Sequence, residues 1–300
     1  MSRILVTGSE GFIGKAAVTS LEAAGHVVVT LDLRQGDGAR QHYVGDIRTI
    51  ELEEIFEKVK PEAVVHLAAQ VIVTESFVDP MQDLEVNALG TLRIIQASIK
   101  SGCRNFCYIH SGGAVYDSDA ALPLTEKSPE RPVSPYGLTK KIGEGYVRVL
   151  SEVAGSSWSS LAYSNVYGPV TTHGRGVIFE FWKALDSGEI ATIFGKDVTR
   201  DFLHINDAVR AIVRAVENPT NKRINISSGT EITLHELYKL ISKQMQIEIA
   251  PKIELARAGE ILRSCLSNDE ALKILGWTPE ITLESGIQLC IPGFEVNNGC

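Results

Sequence analysis

No apolar run in the sequence reaches the length needed to cross a bilayer. The start of the chain passes straight into "RILVTG", with no basic, apolar and cleavable leader ahead of it. Cysteine is scarce: five residues (Cys103, Cys107, Cys265, Cys290, Cys300), none in a paired metal-binding spacing. The odd number excludes a complete set of internal disulfides, so a reducing, cytoplasmic setting without metal is expected. Positive charge is also short, with 29 Lys and Arg against 37 Asp and Glu and a net charge of −8. That balance argues against broad nucleic-acid or anionic-membrane binding and leaves room only for a local basic site. Neither an internal repeat nor a low-complexity linker stands out. What remains is 44% hydrophobic and 22% charged over 300 residues, enough for one large packed domain or two modest ones of a soluble enzyme.

Short apolar runs alternate with helical patterns through the first half. "RILVTG", "HVVVTLD", "AVVHLAA", "NFCYIHSG" and "WSSLAYSNVYG" read as buried strands. Between them, "IGKAAVTSLEAAG", "IELEEIFEKVK", "LEVNALGTLRIIQASIKSG" and "SPYGLTKKIGEGYVRVLSEVAG" read as helices, stopped by glycine or proline. This rhythm predicts an α/β fold with a doubly wound parallel sheet. After Gly168 the rhythm changes. Residues 1–168 are expected to form the dinucleotide-binding part, with a segment near 201–218 returning to it. Residues 169–200 and 219–290 are expected to form a smaller, interleaved α/β substrate part, and 291–300 a tail.

"TGSEGFIG" places Gly8, Gly11 and Gly14 between the first strand and the first helix. Such spacing serves either a tight turn or a loop whose bare backbone and helix N-terminus receive a pyrophosphate. Asp32 follows eighteen residues after Gly14, at the end of the second strand. A carboxylate there accepts both ribose hydroxyls of NAD and repels the 2′-phosphate of NADP; as a bland alternative it is a turn residue. Arg34 works against the NADP argument, because it can meet a phosphate. Tyr136 and Lys140 are four apart and share a helix face. On their own such pairs are ordinary surface features. Beside a dinucleotide loop they make a general base, the ammonium favouring phenolate and drawing the tyrosine pKa toward neutrality.

These residues resemble the extended short-chain dehydrogenase/reductases, nearest the nucleotide-sugar 4-epimerases, whose dinucleotide part is of the Rossmann type. Nearly the whole chain takes part, through "TGSEGFIG", "GDI" at 45–47, "HLAAQ" at 66–70, "NALGT" at 87–91, "SGGAVY" at 111–116, "SPYGLTK" at 134–140, "SNVYGP" at 164–169, "TRDFLHINDA" at 199–208, "RAGEILRS" at 257–264 and "LGWTPEITLESGI" at 275–287. The resemblance implies that Gly8, Gly11, Phe12, Ile13 and Gly14 hold the NAD diphosphate and Asp32 the adenosine ribose. It implies that Asp46 and Ile47 meet the adenine, that Ala68, Ala69 and Asn87 touch the rest of NAD, and that Tyr163 and Val166 flank the nicotinamide. Tyr136 and Lys140 match the catalytic pair. Asn165, Arg200, Arg257, Glu260 and Ser264 fall in the substrate region, the two arginines on the diphosphate. Helices around 84–100 and 136–153 correspond to those that pair across family homodimers.

Two positions depart from the family pattern. Gly112 stands where a serine or threonine usually hydrogen-bonds the reacting hydroxyl, so either Ser111 substitutes or Tyr136 works without that partner. Asp117 stands where glycine usually follows the tyrosine. Gly112, Gly113 and Ala114 carry no acid to protonate a leaving hydroxyl, which disfavours dehydration. The expected activity is NAD-dependent epimerisation at C4 of a nucleotide sugar, UDP-linked (glucose/galactose, N-acetylated or uronic acid), through a 4-keto sugar. A reductase or decarboxylase of the same fold, or a non-catalytic dinucleotide sensor, stands as the alternative.

Overall fold

The computed structural model describes residues 1–169, 176–256 and 261–290. Its strands are β1 (Arg3–Thr7), β2 (Val27–Asp32), β3 (His42–Val44), β4 (Ala63–His66), β5 (Asn105–Ser111), β6 (Ser157–Tyr163), β7 (Asn165–Tyr167), β8 (Thr192–Phe194), β9 (Thr199–His204), β10 (Lys222–Ile226), β11 (Glu231–Thr233) and β12 (Lys252–Glu254). Its α-helices are α1 (Phe12–Ala23), α2 (Leu52–Val59), α3 (Val73–Val78), α4 (Pro80–Leu84), α5 (Thr91–Lys100), α6 (Gly112–Val115), α7 (Pro135–Ala154), α8 (Val177–Asp186), α9 (Ile205–Glu217), α10 (Leu234–Met245), α11 (Asp269–Leu275) and α12 (Leu283–Cys290), with a π-helical turn at Glu85–Gly90. None of the described helices is long and apolar enough to cross a membrane.

Seven strands pair in parallel in the order β3-β2-β1-β4-β5-β6-β10. The uninterrupted apolar runs of the sequence follow from burial on both faces. In β1, Ile4 and Val6 enter a core with α1 and α9, while Leu5 points into the opposite core with α2, α5 and α7. Chain order reverses between β1 and β4, which opens a crevice at their carboxyl ends. β7, β9 and β11 form a separate three-stranded sheet, and β8 pairs with β12. These cover a third core built on α8, α10 and α12.

Sheet membership in the second half departs from the expected boundary at one strand. Of the segment near 201–218, α9 packs on the large sheet and Leu203 of β9 joins the same core, although β9 pairs with β7 and β11. Conversely β10, within the stretch expected to belong wholly to the substrate part, is the seventh strand of the large sheet. Ile224 and Ile226 are fully buried there in one core with Ala271, Leu275 and Trp277. The expected tail 291–300 lies outside the described residues.

The helix read from 84 to 100 contains a π-turn that periodicity does not reveal. The extra residue accompanies an inward Asn87, whose side chain pairs with both the N–H and the C=O of Gln70. Helix α7 begins at Ser134, whose hydroxyl caps the Gly137 N–H at 3.1 Å, continues through Pro135 and ends at Gly155 in the left-handed region. Two of its glycines let it sit directly on the site. A Cβ at Gly137 would lie 2.2 Å from the Ala114 carbonyl oxygen, and one at Gly143 would lie 2.7 Å from the Tyr108 hydroxyl and 2.9 Å from the Asn87 carbonyl oxygen. Gly145, on the same helix, faces open space. Gly143→Ala should therefore lower stability by about 1–3 kcal/mol through overpacking. Gly145→Ala should raise it by about 0.5–1 kcal/mol through helix propensity. Urea midpoints of the two variants measure both, and shifts of the same sign would refute the packing account.

Candidate active site

The crevice between β1 and β4 is shaped by close backbone approach. Gly8 adopts φ +71°, and a Cβ on it would lie 2.6 Å from the Ala68 nitrogen. A Cβ at Gly14 would lie 2.1 Å from the Gly8 carbonyl oxygen, so the first turn of α1 packs onto the loop. Gly11 is the N-cap of α1, and no side chain caps that helix. The helix thus directs uncapped N–H groups and its positive dipole end at the crevice. Beside it the buried hydroxyl of Ser9 has no partner among the described residues. Asp32 is buried at the crevice rim. Its carboxylate accepts the Glu10 N–H and the Arg34 N–H, each at 2.9 Å, and retains lone pairs for a diol. The Arg34 side chain folds back toward Asp32, at 3.4 Å. This set fits a dinucleotide: a bare backbone, an anion-seeking helix end and a ribose acceptor.

Asp46 and Ile47, expected on the adenine side, each have partners within the protein. The Asp46 carboxylate is held by Arg48 through both oxygens, which keeps its pKa low, and Arg48 also reaches Glu85. Ile47 is buried in the core against Gly90, and its carbonyl accepts from Arg93. Phe12 is exposed, Ile13 packs against the first core, and the Ala68 N–H donates to Thr7 Oγ1 at 3.3 Å. Ala69 follows it at the end of β4 and is half-buried.

Ser111 ends β5, and its hydroxyl acts on the buried phenol of Tyr136 on α7, drawing its pKa down. Burial outweighs that pull and pushes the Tyr136 pKa up to about 12, with the Asp83 carboxylate adding to the rise. Lys140, one turn on, is buried with its Nζ 4.2 Å from the Tyr108 ring centre. Burial lowers its pKa to about 7, while Glu144 and Asp83 pull it back up. Lys140 was expected to draw the phenol toward neutrality. In the protein by itself burial dominates at each group, and both move toward their uncharged forms.

Ser111 is the hydroxyl at the phenol for a steric reason. A Cβ at Gly112 would meet Leu266 Cδ1 at 2.5 Å and the carbonyl oxygens of Ala162 and Tyr163 at 3.2 and 3.3 Å. A side chain at that position would have to displace the end of Leu266 and crowd the two carbonyls. Ser264 is 2% exposed, its hydroxyl is unpartnered among the described residues, and it lies 3.5 Å from where a Gly113 Cβ would be. Asn165 donates to the Asp201 carbonyl at 3.3 Å, and Arg200 donates to the carbonyls of Thr199 and Ile261 at 2.7 and 2.6 Å. Val166 packs against the first core. Tyr163 has its ring in that core, and its hydroxyl donates to the Ala208 carbonyl at 2.8 Å. Arg257 and Glu260 lie outside the described residues. Asp117 has a turn role, accepting the Asp119 N–H at 3.0 Å.

Several residues around the pair were not singled out from the sequence. Asp83, Gln70 and Thr139 join Asn87 in a buried polar network beneath α7. His110 accepts the Ser111 N–H at 2.7 Å and faces Glu144, which Arg223 pairs through both carboxylate oxygens. Spacing carried one signal, since Glu144 repeats the four-residue step from Tyr136 to Lys140. Asp83 and Asn87 carry the same step, on a helix whose π-turn conceals which face is inward.

Comparison with known proteins agrees with this geometry. Residues 4–227 match the family described as NAD dependent epimerase/dehydratase. The chain is 37% identical to UDP-glucose 4-epimerase of Mycolicibacterium smegmatis, covering 98% of each sequence. Among solved structures, UDP-glucose 4-epimerase of Thermotoga maritima with UDP-glucose is 34% identical, with TM-score 0.91 over 96% of each chain. The Thermus thermophilus UDP-glucose 4-epimerase complex with NAD is 32% identical, with TM-score 0.87 over 96% of this chain and 97% of that one. Sequence, fold and the geometry of the crevice together make this chain a member of the NAD-dependent epimerase/dehydratase family.

Proposed function

We propose that this chain inverts C4 of a UDP-hexose with tightly held NAD. The observation that carries the reading is the convergence of Ser111, Tyr136 and Lys140 at the end of β5, beside the crevice under the uncapped end of α1. When bound, NAD supplies the hydride acceptor and donor. Tyr136 takes the C4 hydroxyl proton and returns it, Ser111 orients that hydroxyl, and Lys140 stabilises the phenolate. Asn165 and Arg200 hold the nucleotide sugar, and Asp32 selects NAD over NADP. Gly112, Gly113 and Ala114 offer no proton donor for elimination, which favours epimerisation over dehydration. The free, buried thiols of Cys103, Cys107, Cys265 and Cys290 support a reducing, cytoplasmic setting.

Purified protein given UDP-glucose without added cofactor should form UDP-galactose, read by proton NMR. Absence of product from a panel of UDP-, GDP- and dTDP-sugars would refute the reading. Tyr136→Phe should lower turnover by about two orders of magnitude or more with little change in substrate binding, as loss of a general base does. Ser111→Ala should cost less; full activity in that variant would remove its hydroxyl from the mechanism.

Substrate width is assigned to Ser264. A small residue beside Gly113 leaves space that an N-acetyl group at the sugar's 2-position requires, so UDP-N-acetylhexosamines should be accepted. Ser264→Tyr should suppress them selectively, by roughly 10-fold or more relative to plain UDP-hexoses. An unchanged ratio of the two kcat/KM values would show that Ser264 is not the gate.

We also propose a homodimer through α7 and the segment before α5. Met81, Leu89, Leu138, Tyr146, Val149 and Val153 are exposed on that side, and Pro80, Leu84, Val133 and Ile142 line an apolar groove with Leu138. Light scattering at micromolar concentration should report twice the mass of the chain, and a monomer would contradict the assignment.

A further inference from the structure

We propose that Asp83 is the buried counter-charge of Lys140 and, through it, a positioning residue for the Tyr136–Lys140 pair. This rests on the reading of that pair as the proton-transfer machinery. Asp83 is fully buried at the end of α4. Its Oδ1 accepts from Gln70 Nε2 at 3.0 Å and Asn87 Nδ2 at 3.1 Å, and its Oδ2 accepts from Thr139 Oγ1 at 2.5 Å. All three donors are neutral. Two amide donors on one oxygen and a short hydroxyl contact on the other are what an ionised carboxylate collects. Thr139 immediately precedes Lys140, so the contact clamps α4 onto α7 within the catalytic turn.

Charge balance around Lys140 singles out this residue. Glu144 lies one turn further on α7, but Arg223 binds it through both oxygens. Glu130, which shares Arg223, is also paired with Lys141 at 3.0 Å. Two carboxylates there meet two cations. Tyr108 and His110 face Lys140 from β5 and His66 from β4; burial lowers both histidines to about 3, so they carry no charge at neutral pH. Among the described residues Asp83 is left as the carboxylate without a cation of its own, acting with Glu144 on Lys140 and also on Tyr136 and Tyr108. It opposes the burial that strips Lys140 of its proton. Its own pKa is raised by burial and drawn back by Thr139, Gln70 and Lys140.

The sign of the effect makes the assignment testable. A fixed negative charge favours the protonated form of every neighbour. Removing it makes both Tyr136 and Lys140 lose protons at lower pH, whichever group each limb of the pH profile reports. Asp83→Asn should therefore move both limbs of the kcat/KM profile down by about one pH unit, the effect of one nearby charge. Asp83→Glu, which keeps the charge, should restore the wild-type positions. Limbs that stay in place while the rate falls uniformly would show a purely structural role and overturn the proposal. A second measurement needs no variant to fold: the carboxyl-carbon NMR shift of Asp83 in the wild-type protein should report an ionised carboxylate at neutral pH. A protonated acid there overturns the inference alone, whereas a fully active Tyr136→Phe protein would overturn the underlying reading and leave the carboxyl result standing.

Discussion

A lysine ammonium withdrawn from water is the constraint around which this site is built. Burial by itself would leave Lys140 largely neutral at physiological pH. The surrounding structure answers with the face of Tyr108, the Glu144 carboxylate on the same helix and the Asp83 carboxylate from the neighbouring one. Each depends on close packing. Gly143 allows α7 to rest on the Tyr108 hydroxyl, and the π-turn turns Asn87 inward to hold Gln70 and Asp83. Loosening α7 by an ångström would admit water, and the interactions that keep the charge in place would weaken together.

Much of the large sheet was legible because strands buried on both faces need consecutive apolar residues, as at 4–6 of β1 and 63–65 of β4. β3 left no such signal: His42–Val44 is half-exposed at the sheet edge. β10 reads as a strand but not as a member of that sheet, since pairing partner is not written in periodicity. The loop glycines, Asp32, Tyr136 and Lys140 were readable because each has a chemistry tied to a spacing. Asp83 and Thr139 were not, because a buried carboxylate met by amides and a hydroxyl looks, in one dimension, like an exposed helix residue. The packing of Tyr163 was not legible either, because strand alternation turns its ring into the core.

The exchange of hydroxyl position near the phenol has a cause far along the chain. Leu266, fully buried, occupies the space beside Gly112, and its carbonyl accepts from Ser227 at 2.9 Å. Its N–H and the loop at Ser228–Gly229 are gathered by the Asp201 carboxylate. A segment more than a hundred residues downstream thereby lines the space beside Gly112. Substituting at Gly112 without altering Leu266 would disturb both ends of that connection.

The place of β10 bears on how the chain emerges from the ribosome. β6 pairs with β5 on one side and with β10 on the other, yet β10 follows it by some sixty residues that fold mostly elsewhere. Until residue 226 has been synthesised, the apolar edge of β6, with Leu161 and Ala162 fully buried in the finished protein, has no strand to complete it. Nascent chains shorter than this carry an open sheet edge, the state most prone to pairing with another chain. The nucleotide-binding half is therefore not a module that matures first and waits for its substrate half; its sheet gains its last strand only when residue 226 has been made.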